Sequence, residues 1–527
     1  MTTLTRLEQL QFDNRFVAEC PADEEQDNYR RQVYGACYST VTPKPVRKPQ
    51  LLAYSPDMAA QLDLSTELCE SDEFAQVMAG NRLLSGMQPY AMCYGGHQFG
   101  HWAGQLGDGR AINLGEVINS QGQRWALQLK GAGPTPYSRS ADGLAVLRSS
   151  VREFLCSEAM YHLGVPTTRA LSLVLTGEQV LRDMFYDGNP QLEPGAVVCR
   201  VAPSFVRFGS FQIFTARDDL DNLKQLVDYT IRTDFPQLGP PSVAVYLQWF
   251  AEVCRLTAEM IVHWQRVGFV HGVMNTDNMS ILGLTIDYGP YGWLENVDPD
   301  WTPNTTDAQG KRYRFGHQPQ IAYWNLVQLA NALYPLIKDV NALQQSLAVY
   351  NRSFDGNWQQ MMADKLGLLA LEGEQDAALV NDLQKLLQAS QADMTLFYRQ
   401  LAAVGHQTAS EFLEMLQRNS YQLLSTAVSQ QAQAWFAAYQ ARLVTQARPL
   451  TDRQASMNAV NPMYVLRNYL AQQAIDLAEQ GDFSGVNELL QVLRQPYLQQ
   501  DGKQNFAQKR PDWAKQRAGC SMLSCSS

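Results

Sequence analysis

The strongest signal in this chain of 527 residues comes from residues 270–278, with the sequence VHGVMNTDN, and residues 284–289, with the sequence LTIDYG. A His-Gly turn in the first stretch is followed by Asn278. Nine residues later, Asp287 comes directly after a short apolar run that we predict to be a strand. Amide and carboxylate oxygens are the hard ligands that hold a divalent ion on nucleotide phosphates. The spacing therefore predicts that Asn278 and Asp287 hold such an ion.

Three further features precede these stretches in the chain. Residues 104–110, GQLGDGR, predict a glycine-rich turn that can bring backbone N–H groups close to a phosphate. Lys130 ends the apolar run of residues 126–129 one hairpin later, and a helix with two glutamates follows. Protein kinases use a glycine loop, a strand lysine, a helix glutamate, a loop asparagine and an Asp-Phe-Gly aspartate in this order. The order predicts a kinase-like core that binds a nucleotide.

The local sequence leaves open which glutamate pairs with Lys130. Residues 147–162 predict one helix, which ends at the Gly-Val-Pro stop signal of residues 164–166. Glu158 falls on the apolar face of this helix, whereas Glu153 lies off that face and fits a capping-box pattern. Spacing alone therefore allows either carboxylate.

One position departs from the pattern of kinase-like phosphotransferases, in which the catalytic aspartate directly follows the His-Gly pair. This chain has Val273 there, and a hydrocarbon side chain cannot accept the proton of an attacking hydroxyl. The chain is therefore either inactive or performs another transfer with another base. Asp277, next to Asn278, is the replacement that the sequence offers.

The distribution of residue types predicts an α+β protein with a kinase-like, two-lobed fold, β-rich in the N-lobe and α-rich in the C-lobe. Strands are expected around residues 111–114, 126–129 and 196–198, and the tail after residue 500 is expected to be extended. The predicted divisions are an N-terminal extension packing on the core (1–90), the N-lobe (91–219), the C-lobe (220–440) and a helical C-terminal extension with a cysteine-containing tail (441–527).

Composition narrows the functional classes. Lysine and arginine number 42 against 52 aspartates and glutamates, a net charge of −10, which argues against nucleic-acid binding over the whole surface. The apolar runs are too short to span a bilayer and the N-terminus lacks a signal-peptide pattern, so we expect no membrane interaction and a cytoplasmic location. The nine cysteines are expected to be reduced and mostly buried.

Longer motifs give a closer resemblance. They are residues 94–100 (YGGHQFG), 105–110 (QLGDGR), 129–139 (LKGAGPTPYSR), 147–154 (LRSSVREF) and 271–279 (HGVMNTDNM). On these motifs the chain is similar to the selenoprotein O family, kinase-like proteins that act as protein adenylyltransferases. The resemblance covers most of the chain.

The resemblance implies that ATP binds in the opposite orientation from that in kinases, with the γ-phosphate buried and the α-phosphate facing the acceptor. Arg200 and Arg207 would then hold the inverted phosphates, a task that suits the fixed charge of guanidinium groups. The resemblance also selects Glu153 over Glu158 as the partner of Lys130. The nucleotide-binding residues that it implies are Gly107, Gly109, Arg110, Lys130, Asp142, Gly143, Arg200, Arg207 and Asp287.

The same resemblance implies the chemistry. Mg²⁺ or Mn²⁺ held by Asn278 and Asp287 would bridge phosphate oxygens, and Lys130, oriented by Glu153, would stabilise the departing pyrophosphate. Asp277 would accept the proton of a Ser, Thr or Tyr hydroxyl as AMP is joined to it. Protein substrates are therefore implied, ATP is the co-substrate, and self-modification is compatible with the chemistry.

A redox role is implied for the C-terminal tail. Some family members have selenocysteine where this chain has Cys525, and in bacterial relatives this cysteine can pair with one in the loop after the metal aspartate. The matching loop position here is Pro303, which cannot form a disulfide. Cys520 is the nearest alternative partner, and an exposed, unpaired Cys525 is the other interpretation.

Two other functions remain open from the sequence. The first is ordinary phosphoryl transfer with the same metal pair, and Val273 argues against it. The second is an inactive nucleotide-binding scaffold, against which the joint presence of Lys130, Asn278 and Asp287 argues.

Overall fold

A computed structural model describes residues 3–404, 407–446 and 448–524 of the chain. The first part of the molecule is built around an antiparallel sheet and the remainder is mostly helical. This confirms the mixed α and β content of the predicted fold class. Within the described ranges, no helix combines the length and the apolar character that crossing a membrane requires.

Antiparallel strands dominate the chain up to residue 202. The main sheet has the order β2-β4-β7-β8-β10-β9-β3, β1 pairs with β7, and β5 and β6 form a separate hairpin. The predicted strands around residues 111–114, 126–129 and 196–198 lie within β7, β8 and β10. The strands are β1 (Gln11–Phe12), β2 (Tyr38–Thr40), β3 (Gln50–Tyr54), β4 (Tyr90–Met92), β5 (Gly95–Gln98), β6 (His101–Gln105), β7 (Ala111–Ile118), β8 (Arg124–Lys130), β9 (Arg169–Arg182) and β10 (Gln191–Ala202).

Helices flank the sheet and make up most of the chain after residue 207. Two short strands, β11 (Phe269–Val270) and β12 (Gly292–Trp293), pair with each other between α8 and α9. The helices are α1 (Arg15–Glu19), α2 (Pro56–Gln61), α3 (Thr66–Cys69), α4 (Asp72–Met78), α5 (Leu147–His162), α6 (Phe208–Ala216), α7 (Leu220–Asp234), α8 (Val243–Val267), α9 (Gln318–Ile337), α10 (Val340–Leu366), α11 (Gly373–Ser390), α12 (Met394–Leu401), α13 (Ala409–Asn419), α14 (Thr426–Thr445), α15 (Leu450–Val460), α16 (Asn468–Glu479) and α17 (Ser484–Leu493).

The two faces of the sheet belong to different hydrophobic clusters, because successive strand residues point to opposite faces. Along β10, Val197, Cys199 and Val201 pack with residues of the N-terminal segment. Val198 and Ala202 pack on the other side in the cluster that includes α5 and α8. A third cluster joins α10 to α14. The face toward α5 is the one that carries the polar residues of the site described below.

The first 90 residues contribute more to the sheet than the sequence indicated. The short helices expected there are present as α1 to α4, but three strands, β1 to β3, also occur. β3 forms an edge of the main sheet beside β9, and β2 forms the other edge beside β4. Strands of two to five residues lack the length over which an alternating pattern can be recognised.

Two local predictions were wrong. Residues 284–286 do not form a strand, and Thr285 makes only isolated bridges, to Thr167 and Met279. Left-handed backbone at Gly283 (φ +63°) and Asp287 (φ +59°) bounds this run on both sides, which leaves it too short for a ladder. The tail after residue 500 is not simply extended, because it forms 3₁₀ turns at Gln504–Ala507 and Asp512–Lys515.

Candidate functional site

The sheet face that packs against α5 carries a strip of polar side chains. Gln128 and Lys130 alternate along β8 with Leu127 and Leu129, which point to the opposite face. Arg200 of β10 lies directly opposite Gln128 and donates a hydrogen bond to its side-chain oxygen. Strand alternation and register thus bring a buried lysine and a buried arginine onto one surface.

Lys130 pairs with Glu153 of α5, its Nζ lying 2.5 Å from Oε2, which confirms the predicted ion pair. Burial lowers the pKa of Lys130, and Glu153 opposes this shift. Glu158 instead bonds to Arg169, at 2.6 Å, and accepts a hydrogen bond from Ser55. Periodicity could not separate the two glutamates because both are buried on a helix that is enclosed along most of its length.

A third cation, Arg207, is the N-cap residue of α6. We call the side chains of Lys130, Arg200 and Arg207 the cation cluster. Asp287 lies between the two arginines. Arg200 Nη1 bonds to its Oδ1, and Arg207 Nη1 lies 2.5 Å from its Oδ2. Arg200 Nη1 is also 3.2 Å from Glu153 Oε1. The structure therefore brings the two predicted phosphate-binding arginines onto a predicted metal ligand.

The cation cluster sets the ionisation state of Asp287. Burial by itself would raise the pKa of this carboxyl group, but Arg207 and Arg200 hold it well below its ordinary value. Asp287 is therefore ionised, which is the form that binds a metal ion. Arg207 also stacks on the ring of Tyr94, with Cζ 4.4 Å from the ring centroid.

The cation cluster has more donors than its protein partners satisfy. Arg200 Nε and Arg207 Nη2 are buried, and the described residues offer neither of them a hydrogen-bond partner. Asp108 lies 4.0 Å from Arg207 Nη2, and burial raises the pKa of its carboxyl group. Buried donors without partners are costly, and a guanidinium group keeps its charge. This surface is therefore suited to an anionic ligand such as a phosphate.

The predicted glycine turn lies beside the segment that follows Lys130. Gly107 has φ +75°, and a Cβ atom there would overlap the Tyr137 ring. A Cβ atom on Gly109 would lie 2.9 Å from the Tyr137 carbonyl oxygen. Arg110 accepts a backbone hydrogen bond at 2.7 Å from Gly131, the residue after Lys130. The turn therefore needs glycine for close packing against the protein itself.

Asp142 and Gly143 reach the same region through the backbone. Gly143 has φ +76°, and its carbonyl accepts a hydrogen bond from Gly133 at 3.1 Å. Asp142 turns outward and pairs with Arg182 at 2.8 Å. In this structure Asp142 thus contacts an arginine outside the cation cluster.

Asp277 and Asn278 lie in the 3₁₀ turn Thr276–Asn278, which we call the Asp277 turn. The Oδ2 atom of Asp277 accepts a hydrogen bond from Gln98 Nε2 at 3.2 Å, and its carbonyl oxygen accepts one from Arg207 at 2.8 Å. Oδ1 is buried, and no group in the described part of the chain bonds to it. Burial raises the pKa of Asp277 to about 6. A carboxylate of this kind can take up a proton near neutral pH.

The residues around the His-Gly pair fix the Asp277 turn. Val273, which replaces the kinase aspartate, accepts a hydrogen bond through its carbonyl oxygen from Asn278 Nδ2 at 2.8 Å. His271 Nε2 lies 2.9 Å from the carbonyl oxygen of Ile286, and its ring stacks on Trp264. His271 thus connects this loop to the residue before Asp287.

Asn278 and Asp287 offer the donor set that a nucleotide-bound Mg²⁺ or Mn²⁺ takes. The amide nitrogen of Asn278 is held by Val273, which leaves its Oδ1 for another partner, and Asp287 is ionised. Within the described ranges, no group of three or more His, Cys, Asp or Glu side chains is arranged to hold a metal ion. Magnesium commonly takes one or two protein ligands together with substrate phosphates. The residues therefore fit an ion that arrives with a nucleotide.

Sequence reasoning gave no role to several residues that the structure brings to the site. Gln98 and Tyr94 lie in the 94–100 motif, which indicates the family but gives these two residues no individual role. Gln128 lies in the apolar run before Lys130 and Asp108 lies in the glycine-rich turn, and neither pattern indicates a role for them. Their positions beside Asp277, Arg207 and Arg200 depend on contacts between distant segments, which spacing along the chain does not reveal.

The structure describes eight of the nine cysteines, so it tests the predictions for those eight. The eight cysteines up to Cys520 are buried and unpaired, as expected for reduced thiols. Burial raises the pKa of Cys520 to about 11. Leu523 pairs with the loop at Pro303, donating to its carbonyl oxygen at 3.2 Å and accepting from Thr305 at 2.8 Å. Cys525 lies outside the described residues, so its pairing stays a prediction.

Comparison with known proteins supports the assignment that the motifs and the site suggest. The family model described as protein adenylyltransferase SelO matches residues 27–494. A protein nucleotidyltransferase YdiU of Aromatoleum aromaticum is 60% identical over 526 residues, covering 99% of this chain and 100% of that protein. Similar proteins of the same description from Rhodopirellula baltica and an Azoarcus species are also 60% identical, each over 98% of this chain and 99% of their own length. The chain therefore belongs to the SelO/YdiU family of protein adenylyltransferases.

Proposed function

We propose that this chain, a nucleotidyltransferase by its family, transfers AMP from ATP to the hydroxyl group of a Ser, Thr or Tyr side chain of a protein. Pyrophosphate is the second product. The observation that carries the proposal is the buried pair Arg200 and Arg207 beside Lys130. Three buried cations suit the two phosphates that leave together, because they offset charge that grows as the bond to the α-phosphate breaks.

We infer a kinase-like, two-lobed architecture for the chain. Its support is the order of the glycine turn, the Lys130–Glu153 pair, Asn278 and Asp287, and the position of the sheet before the helical part. The division into an N-terminal extension, two lobes and a C-terminal extension stays a prediction.

In the proposed complex the triphosphate lies with its β- and γ-phosphates on the cation cluster and its α-phosphate toward Asp277. The family resemblance implies this orientation. The donors Arg200 Nε and Arg207 Nη2 support phosphate binding at the cation cluster, because no described residue accepts a hydrogen bond from them. The proposed nucleotide-binding set is completed by Gly107, Gly109, Arg110, Asp142 and Gly143.

Asn278 and Asp287 would hold Mg²⁺ or Mn²⁺, which supplies positive charge to the phosphate oxygens as pyrophosphate leaves. For this, Asp287 gives up at least one of its two arginine contacts, and the released guanidinium group binds a phosphate oxygen instead. Lys130 stays oriented by Glu153 during this exchange.

Asp277 is the proposed general base. Its carboxylate takes the proton of the acceptor hydroxyl while the hydroxyl oxygen forms a bond to the α-phosphorus. The bond from that phosphorus to the bridging oxygen of the β-phosphate breaks, and the electron pair leaves with pyrophosphate. Positioning and electrostatic stabilisation carry most of the rate enhancement in such a transfer.

The test is to incubate the purified chain with ATP labelled at either the α- or the γ-phosphate, with Mg²⁺ or Mn²⁺ and a mixture of candidate protein acceptors. Label transferred only from the α-position supports the proposal, and label on the chain itself reveals self-modification. Transfer only from the γ-position identifies a kinase, and binding of ATP without either transfer identifies a nucleotide-binding scaffold. An Asp287→Asn variant is the matched control for label that binds without reaction.

A further inference from the structure

The β5–β6 hairpin contacts the Asp277 turn residue by residue. The backbone N–H of His97 donates to Thr276 Oγ1 at 2.7 Å, and that of Phe99 donates to Asn275 Oδ1 at 3.3 Å. Between them, the side chain of Gln98 donates to Asp277 Oδ2 at 3.2 Å. Three consecutive hairpin residues therefore hold three consecutive residues of the loop that carries the proposed base.

Close packing reinforces these hydrogen bonds. A Cβ atom on Gly96 would lie 2.7 Å from Asp277 Oδ1, so the hairpin backbone lies directly against the carboxylate. One oxygen of Asp277 is held by Gln98, and the other is left without a bond to any described residue. The hydrogen bond to Oδ2 and the packing against Oδ1 together fix the plane of the carboxylate.

The end of the hairpin is itself held in an unusual conformation. Phe99 (φ +50°) and Gly100 (φ +86°) make the two-residue turn between Gln98 and His101, and a left-handed aromatic residue is uncommon. Tyr313 fixes this turn, because its hydroxyl group accepts from Phe99 N at 2.9 Å and donates to Asn275 at 2.6 Å. A strained position that its surroundings hold in place often marks a functional site.

We propose that Gln98 is a positioning residue for the transfer reaction, and that the β5–β6 hairpin presents it so that it holds the Asp277 carboxylate in the orientation that accepts the proton of the acceptor hydroxyl. This inference rests on the proposed role of Asp277 as the base. In the contacts described above, Gln98 bonds to Asp277 and to no side chain of the cation cluster or of the proposed metal ligands. Its loss therefore affects the chemical step and leaves nucleotide binding in place.

The test compares Gln98→Leu with Gln98→Glu. Leucine removes the amide donor, whereas glutamate keeps nearly the shape of glutamine but sets a second carboxylate against Asp277. We expect kcat for transfer of the α-label to fall about tenfold in Gln98→Leu and further in Gln98→Glu, as the loss of a hydrogen bond to a charged group implies. The KM for ATP and the affinity for a non-hydrolysable analogue should stay within about twofold of the unmodified chain.

The order of the two variants separates positioning from packing. A role in packing alone predicts the smaller effect in Gln98→Glu, because its shape is conserved. His101→Ala, an exposed position opposite Gln98 in the same hairpin, should keep full activity and serves as the control. Thermal melting is measured for all three variants.

The inference is overturned if both Gln98 variants keep the kcat of the wild-type chain, or if kcat falls more in Gln98→Leu than in Gln98→Glu. It is also overturned if the fall in kcat accompanies a fall in nucleotide affinity or in melting temperature. Asp277→Ala in the same assay distinguishes this failure from that of the proposed function. An active Asp277→Ala variant would show that Asp277 is not the base. If Asp277→Ala is inactive and both Gln98 variants are fully active, Asp277 remains the proposed base and only the positioning role of Gln98 is contradicted.

Discussion

Asp287 and Asp277 lie ten residues apart in the sequence and on two sides of one site, in opposite surroundings. Asp287 is bonded to Arg200 and Arg207, and its pKa lies well below the ordinary value. Asp277 accepts a side-chain hydrogen bond from Gln98, and burial raises its pKa to about 6. The carboxyl group of Asp287 is therefore held in its ionised form, whereas that of Asp277 can exchange a proton near neutral pH.

This difference shows how two residues of one type can take different roles. A carboxylate that stays ionised suits a metal ligand, and a carboxylate that titrates near neutral pH suits a general base. Burial acts to raise the pKa of both carboxyl groups, so the difference between them comes from their neighbours. The predictions below change these neighbours or the carboxylates themselves.

The largest effect is expected from Asp287→Asn, which removes a charged metal ligand and leaves Arg200 and Arg207 without their carboxylate. Transfer of AMP should fall roughly a thousandfold, since metal-assisted stabilisation amounts to several kcal/mol. The free energy of unfolding should also fall by about 3 kcal/mol, because two buried guanidinium groups each lose an ion pair to Asp287. Activity is followed with α-labelled ATP and stability by denaturant titration.

A triphosphate should restore part of the stability that Asp287→Asn loses, because it supplies the missing negative charge to the same arginines. Mn²⁺ binding, measured by electron paramagnetic resonance, should be weak without nucleotide in the unmodified chain and strong with a non-hydrolysable analogue. Tight Mn²⁺ binding in the absence of nucleotide would show that the arginine contacts do not compete for Asp287.

Asp277→Asn should lower kcat about a hundredfold with unchanged nucleotide affinity, the range that loss of a general base produces. In contrast to Asp287→Asn, it should raise the free energy of unfolding at neutral pH by on the order of 2 kcal/mol. The raised pKa means that ionised Asp277 destabilises the fold, and asparagine removes that cost. If Asp277→Asn lowered the free energy of unfolding as much as Asp287→Asn does, the two carboxylates would be stabilised alike. That result would contradict the difference between their surroundings.

The smallest expected effect is the pH dependence of the unmodified chain. Asp277 must be ionised to accept a proton, so activity is lost as pH falls through its pKa of about 6. Because a single group of this pKa controls the acid side, kcat/KM should drop about fourfold between pH 7.5 and pH 5.5. A profile that stays flat to pH 5 would mean that Asp277 does not act as the base.

The sequence predicted the local features of the fold well. The bounds of α5 agree with the prediction because Gly164 and Pro166 give a clear stop signal, and β7, β8 and β10 were found from their apolar runs. Residues 284–286 were wrongly predicted as a strand because an apolar run does not reveal the left-handed residues that bound it.

The site was predicted less completely, because it depends on contacts between distant segments. The family motifs predicted the Lys130–Glu153 pair. Periodicity could not distinguish Glu153 from Glu158, because both are buried on α5. The contact of Asp287 with both arginines joins residues 80 or more positions apart, and that of Gln98 with Asp277 joins residues 179 apart. No pattern of spacing predicts such contacts.

The most direct test of the account is a structure of the chain with Mn²⁺ and a non-hydrolysable ATP analogue. We predict the β- and γ-phosphates on Arg200 and Arg207, with the α-phosphorus nearest to Asp277. A γ-phosphorus beside Asp277 with the guanidinium groups still bound to Asp287 would contradict the account.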